Sequence, residues 1–510
     1  MDQLMSETLQ ILPPDGHNQI LLRNVHPPDW NAPTPAERYN LVVIGAGTAG
    51  LITASGAAGL GARVALVERQ FMGGDCLNVG CVPSKALIRA ARAAAQVRDA
   101  AEFGIDVAGP VGVNFAAVME RMRKLRASIS LNDSAARYRS LGVDVYFGHA
   151  RFVGPDVIVV GERILRFRRA VIATGARAAR PQIPGLADAG FLTNETVFSL
   201  TALPPRLAVI GAGPIGCELA QAFARFGAKV TLVANHDQIM PREDTNAAKL
   251  VESQMLRDGI EILHNASVRR IDRRDAEKLL TIAQRDRERI VAADEILIGV
   301  GRAPNVEGLG LEEAGVAYNP KEGVQVNDRL QTTNPRIFAA GDICSRFKFT
   351  HAADAMARIA IQNALFFARA KASALTIPWC TYTDPEVAHV GLYPSEAKKR
   401  GISIQSFVQS LEHVDRAILD GDTTGFVKVH VREGTDRIVG ATIVARHAGE
   451  MISELTLAIV GRLGLKTLSR TIHPYPTQAE SIRRVADAFV RTRLTPRVKR
   501  LLGYWFSLSR

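Results

Sequence analysis

No run of about twenty apolar residues occurs anywhere in the 510-residue chain, so a membrane-spanning helix is not expected. Cysteine is scarce: five residues are too few for a disulfide-stapled scaffold of this length, and an odd number leaves one over. The formal charge of +12 comes without a zinc-finger spacing, a basic helix ladder or an aromatic-interleaved basic strand. Nucleic acid is therefore not an expected partner. The opening MDQLMSETLQ lacks the basic-then-apolar order of a signal peptide. Residues 1–38 carry more acid than base, unlike a mitochondrial presequence. The cytoplasm is the expected compartment. What remains is an ordinary globular composition, 47% hydrophobic and 22% charged, on a chain with room for about three to four domains.

Two segments repeat at identical spacing. The first reads Gly45-Ala-Gly47-Thr-Ala-Gly50, then Gly61-Ala-Arg-Val-Ala-Leu-Val-Glu68; the second reads Gly211-Ala-Gly213-Pro-Ile-Gly216, then Gly227-Ala-Lys-Val-Thr-Leu-Val-Ala234. Each follows a short apolar run, Leu41–Ile44 or Leu207–Ile210, with the look of a buried parallel strand. Strand, glycine turn, helix and strand thus occur twice. In this setting the first glycine permits the turn, the second admits a pyrophosphate, and the third lets the helix pack against the strand. The helix N-terminus then favours the anion. The copies differ where the ribose is read. Glu68 ends the first, placed to accept from ribose hydroxyls, whereas the second has Ala234, then Asn235 and His236. Without a carboxylate there, NADPH is tolerated and preferred over NADH; Arg242 or Lys229 are the cations available for its 2′-phosphate.

The stretch Gly73-Gly74-Asp-Cys76-Leu-Asn-Val-Gly-Cys81-Val-Pro-Ser-Lys85 is the most informative in the chain. Two cysteines five apart, broken by a glycine at a helix entry, are close enough to bridge. A thiolate at a helix N-terminus has a lowered pKa, which suits redox chemistry. A zinc half-site would need a second pair, and none has ligand spacing; a structural disulfide suits the cytoplasm poorly. Cys217, Cys344 and Cys380 have no close partner in sequence and read as small buried residues.

These motifs, with Ala173-Thr174-Gly175, Gly299-Val-Gly301-Arg302 and Ala340-Gly-Asp342, closely resemble those of the pyridine nucleotide-disulfide oxidoreductases. The likeness covers roughly residues 39–490. It implies FAD held by Glu68 and Asp342, with Cys81 as the thiolate against the flavin and Cys76 as the outer thiol. It also implies Lys85 near the flavin and paired with Glu218. The implied fold is α/β, with two Rossmann-like domains, one inserted in the other, plus a C-terminal α+β dimerisation domain. By this reading 39–185 and 315–375 bind FAD, 186–314 bind NAD(P), and 376–490 make the dimer. Strands there, such as Phe426–Val431, are expected to alternate.

Near the C-terminus the pattern departs from the disulfide reductases, which carry a histidine five residues before a glutamate. Ile472-His473-Pro-Tyr475-Pro-Thr-Gln-Ala-Glu480 puts Tyr475 in that slot and His473 two residues earlier. The tyrosine resembles the mercuric reductase branch, although no cysteine pair closes the chain and no N-terminal Cys-x-x-Cys domain precedes it. A tyrosine with a pKa of about 10 is a poor base at neutral pH. The acceptor is then expected to be Hg(II), held transiently at Cys76 and Cys81, or a small disulfide, with no resident metal. Tyr475 is expected to reach the outer thiol across the dimer, with Glu480 orienting it. The alternative is a dihydrolipoamide dehydrogenase-like enzyme using His473.

Both ends carry further expectations. Residues 1–38, rich in proline, read as a strap or disordered arm. At the other end, Thr495 and Pro496 open a short basic amphipathic helix with Val498, Leu501, Leu502 and Trp505 on one side. Packing on its own domain is the commoner fate of such a tail; weak contact with a membrane surface is the alternative.

Overall fold

The computed structural model describes residues 10–285, 287–366 and 369–509. They form two compact units, one running up to Asn235 together with Glu261–Leu375, the other His236–Ile260 together with Thr376 onward. In the first unit Tyr39–Ile44 is the middle strand of a five-stranded parallel sheet. Val64–Glu68 and Val143–Phe147 lie to one side, Arg163–Ile172 and Ile337–Ala339 to the other. Leu41, Val42 and Val43 are wholly buried, because both faces of the sheet are covered. That is why the run is continuously apolar. The first half of Arg163–Ile172 instead pairs antiparallel with Val157–Val160, which leads on to Ala150–Gly154.

The second copy of the repeat builds a four-stranded parallel sheet, ordered Glu261–Leu263, Lys229–Val233, Arg206–Ile210 and Glu295–Ile298. The two turns match in detail. Gly45 and Gly211 adopt φ of 98° and 107°. A Cβ at Gly50 would stand 1.7 Å from the Gly45 carbonyl oxygen, and one at Gly216 1.9 Å from that of Gly211. Only glycine lets helix and strand meet so closely.

The proline-rich lead is not a disordered arm throughout. Gly16–Val25 is a helix, N-capped by the Asp15 carboxylate, which accepts from the Asn18 amide. Leu21 and Val25 are fully buried in the first unit's core. Arg126 ties the helix down by donating both to Asn18 Oδ1 and to the carbonyl of Asn78. The first nine residues of that lead lie outside the described residues.

The second unit is a five-stranded antiparallel sheet ordered Trp379–Thr381, Glu386–Gly391, Ile438–Ala445, Phe426–Arg432 and Ile404–Ser410. Helices Ala448–Val460 and Glu480–Arg491 share its apolar core. The expected alternation of faces is present at Phe426–Arg432, but both faces are covered, so every residue but the last is buried. Val427, Val429 and Val431 point into the core, while Lys428 and His430 enter a polar layer. Lys428 meets Asp244 at 2.8 Å and His430 meets Ser406 at 2.7 Å. Glu243 accepts from Trp379 at 2.8 Å and from Tyr393, which fastens 236–260 into this unit. Thr495 caps the last helix, Pro496–Leu508, by accepting from the Val498 amide. No residue of that helix is buried, so it does not pack on its own domain as expected. No described helix is long and apolar enough to cross a membrane.

Candidate active site

Gly73 and Gly74, both at positive φ, swing the chain off the first glycine turn into the short helix Gly74–Asn78. A Cβ at Gly74 would lie 2.6 Å from Cα of Gly47, so the cysteine segment rests directly on that turn. Cys76 sits in the short helix. Gly80 interrupts it, and Cys81 is the first residue of the long helix Cys81–Arg98. Thr350 Oγ1 lies 3.4 Å from Cys81 Sγ. The neighbouring Cys76 thiol does most to lower the pKa of Cys81, helped by Thr350 and the charge of Lys85, against burial. Cys76 moves the opposite way, through its neighbour Cys81 and through burial. The helix N-terminus favours the same assignment. Cys81 opens on a shallow, mainly apolar groove of about 400 Å³ lined by Val82, Leu125 and Ile129 and by Lys85, Arg89 and Arg121.

An ionic chain centred on Arg302, absent from the sequence reading, backs the pair. Arg302, 12% exposed, lies 3.3 Å from Asp75 and 3.8 Å from Asp342. Asp75 also accepts from Asn194 at 2.9 Å. Asp75 could have been singled out as the neighbour of Cys76. Thr350, 269 residues from Cys81, carried no signal at all.

The residues around the first turn fit FAD. The helix Thr48–Gly59 starts at Gly47 with no side-chain cap, leaving its amides to an anion. Glu68 accepts from the amides of Ala46 and Gln70, each at 2.7 Å, which fixes its carboxylate at the turn although burial raises its pKa. Asp342 ends the strand Ile337–Ala339 region at a Gly-Asp turn. Burial raises its pKa too, with Arg302 and Lys348 opposing. Thr174 and Asn305 bind each other's backbone carbonyls at 2.9 and 2.8 Å. Gly175 follows at φ 68°, and Gly301 stands at φ 122° across the bridge between Ala176–Ala178 and Arg302–Pro304.

On the second copy, helix Pro214–Phe226 starts at Gly213, again without a side-chain cap. It carries buried Glu218 to within 2.9 Å of Lys85 Nζ. Lys85→Met would leave that carboxylate without this cation. Because Lys85 is 36% exposed, we expect a loss of about 1–3 kcal/mol rather than a full buried-pair penalty; thermal unfolding of the FAD-loaded protein measures it. Ala234 is buried and Asn235 exposed at the ribose-reading position. Lys229 begins the strand that ends at Val233, about 16 Å from that position. It cannot hold a 2′-phosphate there.

In the second unit, Tyr475 is 70% exposed and donates to Asp415 Oδ2 at 2.9 Å. That bond raises its pKa further. Glu480 is not its partner, contrary to the sequence reading. Glu480 is buried and accepts from Arg483 and Arg484 at 3.0 and 3.4 Å, because it opens a helix whose next turn supplies both arginines. His473 is held on both ring nitrogens, by Glu454 at 3.0 Å and the Thr471 carbonyl at 3.2 Å. Elsewhere, Cys217 is fully buried, with its thiol donating to the Ala212 carbonyl at 3.5 Å, and burial pushes the Cys344 thiol up to about 12.

Two dinucleotide turns and a dithiol with one sulfur at a helix N-terminus are the parts of a flavoprotein that moves electrons to or from a disulfide. Residues 39–357 match the pyridine nucleotide-disulphide oxidoreductase model, and 377–486 match the dimerisation domain of the same family. The chain is 33% identical to a mercuric reductase of Staphylococcus aureus, over 88% of this chain and 82% of that one. It is 34% identical to a dihydrolipoyl dehydrogenase of Mycoplasma pneumoniae, over 87% and 97%. Among solved structures, the Cu(II) complex of the HOCl-induced flavoprotein disulfide reductase RclA from Escherichia coli superposes with a TM-score of 0.76. It is 28% identical and covers 87% of this chain and 98% of that one. The chain belongs to the pyridine nucleotide-disulphide oxidoreductases, a family of FAD- and NAD(P)-dependent enzymes, and carries their dimerisation domain.

Proposed function

We propose that the enzyme reduces a thiophilic metal ion, Hg(II) before Cu(II), bound between Cys76 and Cys81, and that residues 186–314 hold the nicotinamide nucleotide. The observation that carries the reading is Tyr475, whose hydroxyl is bonded to Asp415 with its pKa raised. A disulfide acceptor needs a group that shuttles protons near neutral pH. A soft ion needs thiolate ligands, and a hydroxyl that polarises it, more than it needs a base. The relatives named for mercury reduction and the Cu(II)-bound structure agree with that chemistry.

When bound, FAD supplies the two-electron link between NAD(P)H and the dithiol. Cys81 is held as thiolate by its helix and by Lys85, which is ion-paired with Glu218. Cys76 retains its proton until the acceptor arrives, then loses it as its sulfur ligates the ion. Tyr475 meets that ion across the dimer, with Asp415 fixing its hydroxyl.

The second reading, dihydrolipoamide oxidation with His473 as base, has one observation in its favour, the Glu454 carboxylate beside the ring. It has another against it: the Thr471 carbonyl occupies the second nitrogen. Rapid mixing of the NADPH-reduced enzyme with Hg(II), Cu(II), lipoamide, glutathione disulfide and quinones decides between them. Hg(II) should reoxidise it fastest, and faster turnover of lipoamide overturns the proposal.

We further propose a preference for NADPH over NADH. In the first copy Glu68 reaches back to the Ala46 amide; the matched strand end of the second copy offers only the Ala234 methyl group. Ala234→Glu should move kcat/KM towards NADH by roughly tenfold or more, since excluding a phosphate is worth over ~1.4 kcal/mol. Steady-state kinetics with both nucleotides test this, and strict NADH specificity of the wild type contradicts it.

A further inference from the structure

The helix Pro496–Leu508 is the most distinctive feature that the electron-transfer chemistry leaves unused. With about 100° per residue, Val498, Leu501, Leu502, Trp505, Phe506 and Leu508 fall within an arc of roughly 160°. All six are exposed, Leu501 by 69% and Trp505 by 66%. Lys499 flanks one edge of the arc and Arg497 the other, and Arg500, Gly503 and Ser507 lie opposite it. A single apolar side chain on a surface needs no explanation; a whole helical face does.

Charge indicates what covers it. Residues 376–487 hold thirteen basic and thirteen acidic residues and 236–260, in the same unit, three and five, so without the tail that unit carries a net charge of only −2. Residues 488–510 hold six basic residues and no acidic one, half of the chain's net charge of +12. A second copy of the same unit therefore offers an excess of only two acidic residues against the six cations of the tail. A surface that is anionic over its whole area and apolar just beneath suits the helix better. Tryptophan, tyrosine and phenylalanine at 504–506 suit the boundary between head groups and acyl chains, and Lys and Arg at the edges of the face suit the head groups.

We propose that Pro496–Leu508 docks this enzyme in the plane of an anionic phospholipid surface, with the Val498–Trp505 face inserted, Arg497 and Lys499 at the phosphate level and Arg500 adding its charge from the outer side. The proposal goes beyond the redox reading and is independent of which acceptor is reduced. The FAD-loaded full-length protein should sediment with vesicles of phosphatidylcholine and phosphatidylglycerol, and not with phosphatidylcholine alone. High salt should weaken that binding. Replacing Arg497, Lys499 and Arg500 together with Gln should reduce it on the order of 100-fold. A chain ending at Leu494 should remain in the supernatant while oxidising NADPH as the full chain does. Trp505 emission, taken as the difference between wild type and Trp505→Phe, should shift to the blue only when anionic vesicles are added. Equal sedimentation of the shortened chain overturns the proposal. So does a lipid-independent blue shift of Trp505 without sedimentation, which would assign the face to a second copy of the chain.

Discussion

Two-electron reduction of the FAD-loaded enzyme should produce a long-wavelength absorption band that Cys81→Ser abolishes and Cys76→Ser makes permanent. The expectation rests on the asymmetry of the pair. Cys81 begins an eighteen-residue helix and has Lys85 one turn on, so its thiolate is stabilised by the helix dipole and by a cation. Cys76 sits within a short helix and has its pKa raised by its neighbour Cys81 and by burial. Only a thiolate donates charge to an oxidised flavin, so the band reports Cys81 alone. Removing Cys76 leaves Cys81 with no partner to bridge, hence the permanent band. Acceptor turnover should fall by at least about 10³-fold in either variant, since each removes one member of a unit that works together. The band should also titrate. The pKa of Cys81 is lowered to about 6, so the thiolate, and the band, should hold from alkaline pH down to that region and fade below it. Iodoacetamide should label Cys81 ahead of Cys76 at neutral pH, an independent readout. Variants that both keep the wild-type spectrum would remove the assignment.

Tyr475→His should raise disulfide turnover by up to ~10²–10⁴-fold, the gain expected of a positioned acid–base group. The structure supplies the reason. The Tyr475 hydroxyl points at Asp415, so an imidazole in its place would face a carboxylate able to hold one ring nitrogen and leave the other for the outer thiol. Tyr475→Phe should slow Hg(II) reduction, because the polarising hydroxyl is lost, and change lipoamide turnover little. His473→Ala is the control. With both nitrogens committed to Glu454 and Thr471, His473 should matter for local stability and not for the proton. If His473→Ala removes activity on a disulfide and Tyr475→Phe does not, the dihydrolipoamide-type reading takes precedence.

Local chemistry is legible in a linear chain; partners brought from far away are not. The glycine turns were readable because positive φ and close approach leave a residue no freedom of identity, and the matched Gly45 and Gly211 show it. The cysteine pair was readable because its partners, the helix entry and Lys85 lie within ten residues. Thr350, Arg302 and Asn194 were not assigned roles, since their positions beside Cys81 and Asp75 depend on how distant strands and helices close. The N-terminal helix was hidden by its prolines, although Asp15 is a plain capping residue; burial of Leu21 and Val25 decides it, and burial is a tertiary property. Glu480 was matched to Tyr475 by spacing alone, whereas the arginines of its own helix took it. By itself, then, the sequence determined the two nucleotide turns, the redox pair and the amphipathic tail, because each depends on residues within a turn or two of one another. Only the tertiary structure decided which carboxylate meets Tyr475, what braces the cysteines, and that the tail's apolar face is left uncovered, because those outcomes depend on surfaces that exist only once the chain has folded.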